Sequence, residues 1–145
     1  MTVHLVKMAV RVESIPHLEE IQAKRLRLAA EAGVPAVLRH VTRNTPRRAD
    51  EILGGGSIYW VIRGFIQARQ AIVDIADHAG ADGAPACALV LDPCVVRTEL
   101  RPMRPFQGWR YLPEDKAPPD LRADAEEADD LPREMAEELR ALGLL

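Results

Sequence analysis

Aromatic side chains are scarce in this chain: two Trp, two Tyr and two Phe make up 4% of its 145 residues. Cysteine is as scarce, and Cys87 and Cys94 have six residues between them. That spacing fits neither a Cys-x-x-Cys redox pair nor a zinc knuckle, so both read as ordinary thiols. Long apolar runs are missing, which excludes a membrane-spanning helix. Met1-Thr2-Val3-His4-Leu5 has no basic stretch leading into an apolar one. No signal peptide is therefore expected, and the cytoplasm is the expected compartment. The four histidines, His4, His17, His40 and His78, form no pair at helical metal-ligand spacing, and no metal is expected. Gly54-Gly55-Gly56-Ser57 lacks the lysine of a phosphate-binding loop, no Gly-x-Ser-x-Gly elbow occurs, and no cofactor motif is present.

What is there is enough for a single domain with its own core, at 48% apolar and 28% charged residues. The net charge of −3 hides a segregation. Residues 39–111 carry ten Lys/Arg against seven Asp/Glu, whereas residues 112–145 carry four against eleven. Within the middle, Arg39, Arg43, Arg47 and Arg48 cluster around His40, and Arg97, Arg101, Arg104 and Arg110 form a second group. Guanidinium groups offer a planar fork of donors that suits phosphate and carboxylate. Solvated strand faces paired with the acidic tail explain the same clusters equally well.

Hydropathy and turn residues place the elements. Val3–Val12 alternates as a strand. Ser14 is an N-cap ahead of Pro16, and Leu18, Ile21, Arg25, Leu28 and Ala32 follow helical spacing, so a helix is expected over 16–32. A strand follows at 37–44. Thr45-Pro46 then caps a short helix over 46–53, ended by the three glycines. Ser57–Arg63 is a buried strand turned at Gly64 into 65–75, for which strand and helix compete. Residues 77–85 read as a surface loop, and 86–91, 95–100 and 109–112 as strands. The expected class is α+β: a small mixed or closed β-sheet with two or three helices, occupying residues 1–112. Residues 113–130 read as an acidic linker. Residues 131–145 read as an amphipathic helix with Leu131, Met135, Leu139 and Leu142 in one stripe, which packs on its own domain or takes a protein partner.

All six aromatics fall in two windows, Tyr59-Trp60 with Phe65 and Phe106 with Trp109 and Tyr111, each beside arginine and glycine. They read either as core anchors or as stacking platforms for planar ligands. The candidate ligand-binding set is Arg39, His40, Thr42 and Arg43, then Tyr59, Trp60 and Arg63, then Gln107, Trp109 and Arg110. Strand alternation sets Tyr59 and Val61 opposite to Trp60 and Ile62, so at most one of these pairs lines a site.

Arg39-His40-Val41-Thr42-Arg43, Gly56-Ser57-Ile58-Tyr59-Trp60-Val61-Ile62-Arg63-Gly64, Gln67-Ala68-Arg69-Gln70, Ala88-Leu89-Val90-Leu91-Asp92-Pro93 and Pro105-Phe106-Gln107-Gly108-Trp109-Arg110-Tyr111-Leu112 together resemble an uncharacterised family of short alphaproteobacterial proteins, domain of unknown function 1489. The likeness weakens only in the acidic tail. It implies a bacterial cytoplasmic protein and carries no activity. The order of strands, short helix and glycine loop is also similar to PUA-like domains of the ASCH and EVE groups. That likeness implies a small β-barrel that binds RNA or modified bases, some members being hydrolases, although no counterpart of a catalytic lysine is evident. The expected function is non-catalytic recognition of RNA, DNA or a nucleotide through aromatic stacking and arginine contacts. Two alternatives stand beside it: a small hydrolase of nucleoside-like ligands using His40 or Thr42 near Asp74 or Glu99, and a protein-interaction module using the acidic tail.

Overall fold

Residues 2–80 and 83–121 are described by a computed structural model. In chain order the elements are β1 (Val3–Met8), α1 (Ile15–Glu31), β2 (Leu38–Thr42), α2 (Ala49–Leu53), β3 (Ser57–Ile62), β4 (Phe65–Ala79), β5 (Pro85–Leu91), β6 (Val96–Pro102) and β7 (Trp109–Pro113), then a 3-10 turn at Glu114–Lys116. The expected α+β class holds.

The seven strands form one sheet in the order β2-β5-β4-β3-β1-β7, with β6 also on β4. Only β1 and β3 run parallel; the other pairs are antiparallel. β4 is the spine. Its first half is flanked by β3 and β6, and its second half pairs with β5. The ladder with β3 slips at Gln67 and that with β5 at Val73, each an extra residue in β4. Such bulges bend a strand and sharpen its twist. Gln67 secures the first by donating its amide to the Ile62 carbonyl at 2.7 Å.

The sheet stays open. Strands β2 and β7 end the order without a ladder between them, which corrects the expectation of a closed PUA-like barrel. Side chains of β7 reach the chain that leaves β2: Trp109 Nε1 donates to the Asn44 carbonyl and the Tyr111 hydroxyl accepts from the Arg48 N–H, both at 3.1 Å. Such side-chain bonds leave the two edge strands without a backbone ladder between them, whereas a barrel needs a continuous one.

Ser14 caps α1 as expected, its hydroxyl accepting from the His17 N–H at 3.2 Å. The buried stripe is Ile15, Leu18 and Gln22, with Leu26 packed alongside, while Leu28 stands 54% exposed. The helix is thus rotated from the face anticipated through Leu28. α2 begins only at Ala49, and Arg48 stands at its cap position, so Thr45-Pro46 precedes the helix rather than opening it. Gly56 lets the next chain segment pass close over β1: a Cβ there would lie 2.4 Å from the Val3 carbonyl oxygen. The β3–β4 turn is Arg63-Gly64, with φ of 51° and 83°. Two consecutive positive φ values make the tight hairpin that matches strand twist. Residues 65–75 are strand, and β4 runs on to Ala79 where a loop was expected. Alternating side chains on a pleated ladder suit this strand better than the helix that competed for it.

Alternation builds two cores. Val3, Leu5, Ile58, Trp60 and Ile62 pack under α1 with Leu38 and Leu89, whereas Val6, Tyr59, Val61 and Leu112 pack on the opposite face. Residues 113–121, the start of the acidic segment, lie along the sheet. Arg69 holds Asp120 through two bonds of 2.7 and 2.8 Å, and Glu99 and Arg97 exchange backbone bonds with Pro119 and Leu121. The expected C-terminal helix over 131–145 and the rest of the linker lie outside the described residues.

Candidate functional site

The α1-facing side of the sheet carries a cross-strand row in which Lys7 on β1 pairs with Trp60 on β3 and with Trp109 on β7. Residues directly opposite on neighbouring strands share a face, so Lys7 stands between the two tryptophans in this row. Val3 and Leu5 precede Lys7 on this inward-facing row. Burial lowers the Lys7 pKa from its ordinary value. This lysine was not among the candidates, though a cation ending the inward row of Val3 and Leu5 was the signal that could have found it.

Two hollows meet at Lys7. The larger is an open groove of about 1010 Å³ between the chain leaving β2 and the start of β7, lined by Thr42, Arg43, Asn44, Thr45, Arg47, Gln107, Gly108, Trp109 and Tyr111 as well as Lys7 and Val41. It brings together Thr42, Arg43, Gln107 and Trp109 from the two distant clusters. Its walls hold three cations and no carboxylate. Lys7, Arg43 and Arg47 make no ion pair among the described residues. The neighbouring Arg48 is spent differently: it clasps Glu51 at 2.6 and 2.9 Å and lies over the Tyr111 ring at 5.3 Å.

Local bonds fix the groove's shape. The Thr42 hydroxyl donates to the Asn44 carbonyl at 3.1 Å, the same oxygen that takes the Trp109 N–H, and the Arg48 backbone N–H donates to the Tyr111 hydroxyl at 3.1 Å. Trp109 and Tyr111 meet edge to face with centroids 5.0 Å apart. The Trp109 ring is half-buried, held at its polar end and open to the groove.

The smaller hollow, about 250 Å³, lies between α1 and the sheet, with Arg39, His40 and Trp60 on its walls. Trp60 is 3% exposed, a core ring. Its Nε1 donates to Gln70 Oε1 at 2.9 Å, and Gln70 exchanges amide bonds with Gln22 at 2.7 and 2.8 Å. The remaining Gln70 bond goes to the Asp92 carbonyl at 3.0 Å. His40 stands edge to face with Trp60 at 5.1 Å, and its Nε2 is buried without a hydrogen-bond partner. Burial, aided by the nearby charges of Lys7 and Arg25, pushes its pKa down to about 4. The imidazole is neutral at physiological pH.

Three candidates stand apart from both hollows. Tyr59 is buried on the opposite face, edge to face with His4 at 5.1 Å. Arg63 is the first residue of the hairpin turn, 4.0 Å from Glu13. Arg110 pairs with Val6 in the ladder and lies over Phe106 at 4.6 Å, again on the opposite face. The hydrolytic pairing also fails to assemble. Arg39, Val90 and Asp74 form one cross-strand row and His40, Leu89 and Ile75 the next, so Asp74 and His40 point to opposite faces. Glu99 is exposed on β6, which borders β4 and not β2.

A family model, Protein of unknown function (DUF1489), matches residues 5–145. The chain belongs to that family. No curated protein and no solved structure matches the chain. Among the described residues no helix is long and apolar enough to cross a membrane.

Proposed function

We propose that this member of the family is a cytoplasmic, non-catalytic binder of single-stranded nucleic acid or a nucleotide, and that the groove beside Trp109 is its site. One observation carries the reading: three cations without a carboxylate among them line a groove with an accessible indole, in a chain of net charge −3. A positive concavity in an otherwise acidic protein concentrates polyanions locally and not over the whole surface. Arg43 and Arg47 hold phosphate oxygens, Lys7 adds a third charge, and a base stacks on Trp109. Gln107, Thr45 and the Thr42 hydroxyl oxygen are placed to read base edges or sugar. Of the sequence-derived set, Thr42, Arg43, Gln107 and Trp109 keep ligand roles in this reading, while Arg39, His40, Tyr59, Trp60, Arg63 and Arg110 give them up.

The test is anisotropy of labelled single-stranded RNA and DNA oligonucleotides over a range of salt. Log K should fall linearly with log salt, and the slope should shrink by about 0.7 for each of Arg43→Ala and Arg47→Ala. Affinity that ignores salt, or that survives the double variant unchanged, would overturn the proposal.

A further inference from the structure

The hollow beneath α1 has a chemistry of its own. At about 250 Å³ it falls below the roughly 300–1,000 Å³ of pockets for drug-sized ligands, so it suits a single ring or a short chain. Leu18, Ile21, Leu38 and Leu91 make its walls apolar. Two of its neutral polar groups are already committed, the Gln22 amide in a reciprocal pair with Gln70 and the Trp60 N–H on the same Gln70 oxygen, while His40 Nε2 on the wall has no partner. That single nitrogen is the one buried neutral polar side-chain atom on these walls without a partner among the described residues, so a polar ligand body finds little there to bond.

The charged lining is of one sign. Lys7, Arg25 and Arg39 border the hollow with no carboxylate among the lining residues, and none of the three has an ion-pair partner among the described residues. The half-buried Lys7 ammonium has lost water without gaining a counter-charge, and burial, with Lys7 and Arg25 adding to it, holds the adjacent imidazole neutral. Positive potential therefore converges on an apolar space. An anion entering there would recover the solvation that Lys7 has lost.

We propose that this hollow is a binding site for a small apolar monoanion, an aromatic or short aliphatic carboxylate, its head between Lys7 and Arg25 and its body against Leu18, Ile21 and Leu38. The site is separate from the nucleic-acid groove and touches it only through Lys7. A charged contact of this kind is directional and strong once shielded from water, while the walls select against polar bodies.

The experiment is a titration of the full chain with phenylacetate and with hexanoate, followed through the Trp60 indole N–H resonance, with phenylacetamide as the neutral control. Both anions should shift that resonance saturably at millimolar concentrations or below, and the amide should not. Arg25→Glu should weaken phenylacetate about tenfold or more, the size of one lost charged hydrogen bond. Ile21→Trp, which fills the hollow from an accessible helix position, should abolish the shift. Neither variant touches the groove, so oligonucleotide binding should persist in both. An unmoved resonance, equal binding of the amide, or indifference to Arg25→Glu overturns this inference and leaves the groove proposal standing.

Discussion

Trp60 and Trp109 lie on the same face of the sheet, each the ladder partner of Lys7, yet one is 3% exposed and the other is half-buried at the wall of an open groove. Their place in the strand order makes the difference. β3 is flanked by β1 and β4 and roofed by α1, so every one of its six residues is buried. β7 is the last strand of the path, and only part of its surface is covered. Two windows of nearly the same composition therefore end up in different places: the central one carries the core, and the edge one lines an open groove. Their polar tips follow suit, since Trp60 donates into a closed side-chain network and Trp109 to a backbone carbonyl across the sheet opening.

Removing each ring is the direct way to break that comparison. Trp60→Ala should cost about 3–5 kcal/mol in chemical denaturation, because a buried indole leaves a large cavity. Next in size is the network behind it. Gln70→Leu strips the Gln22 amide and the Trp60 N–H of their partner, and should cost on the order of 2–4 kcal/mol by the same measurement. Equal stability of Gln70→Leu and the parent would mean that the ring's orientation owes nothing to that bond.

Acid sharpens the contrast further through His40, which touches Trp60 alone of the two indoles. Its folded-state pKa of about 4 lies below the ordinary imidazole value of 6.5, so between those values the unfolded chain binds more protons than the folded one. Stability is fully held above about pH 6.5 and should fall toward pH 4 by on the order of 3 kcal/mol. His40→Leu should flatten this part of the pH profile, leaving the smaller drop due to His4, whose pKa burial also lowers. An unchanged profile would mean that the imidazole is not desolvated in solution.

Trp109→Ala carries the smallest effect on folding, about 1 kcal/mol, and the clearest effect on ligand. Oligonucleotide affinity should drop by about 1–3 kcal/mol, the range for one lost base–aromatic stack. If the variant unfolds as readily as Trp60→Ala while its oligonucleotide affinity is intact, the two windows are both core and the comparison collapses.

Much of the local structure was legible residue by residue. Ser14 caps α1, Arg63-Gly64 turns the hairpin, and strand alternation separates Tyr59 from Trp60, since each depends on backbone geometry within a few residues. Errors came where a neighbour overrode a local preference. β4 runs past the expected loop because β5 pairs with it to Ala79, and Leu28 faces solvent because α1 packs through Ile15, Leu18 and Gln22 instead. The site was half legible. Arg43, Thr42, Gln107 and Trp109 were singled out as belonging to two separate clusters, and nothing in their spacing says that the end of β2 approaches the start of β7. Lys7, Arg25 and Gln70 went unnoticed because a lone lysine, arginine or glutamine has no motif.

By itself the sequence determined the family, and also the α+β class, the Ser14 cap, the turn at Gly64 and which side chains share a strand face, the last four because they follow from steric and periodic rules acting over short stretches. Tertiary structure alone decided that the sheet stays open, that Trp60 is core while Trp109 is free, and that Lys7 joins two cation-lined hollows. Burial and electrostatic field are sums over residues distant in the chain, and only the folded strand order says which of them are summed.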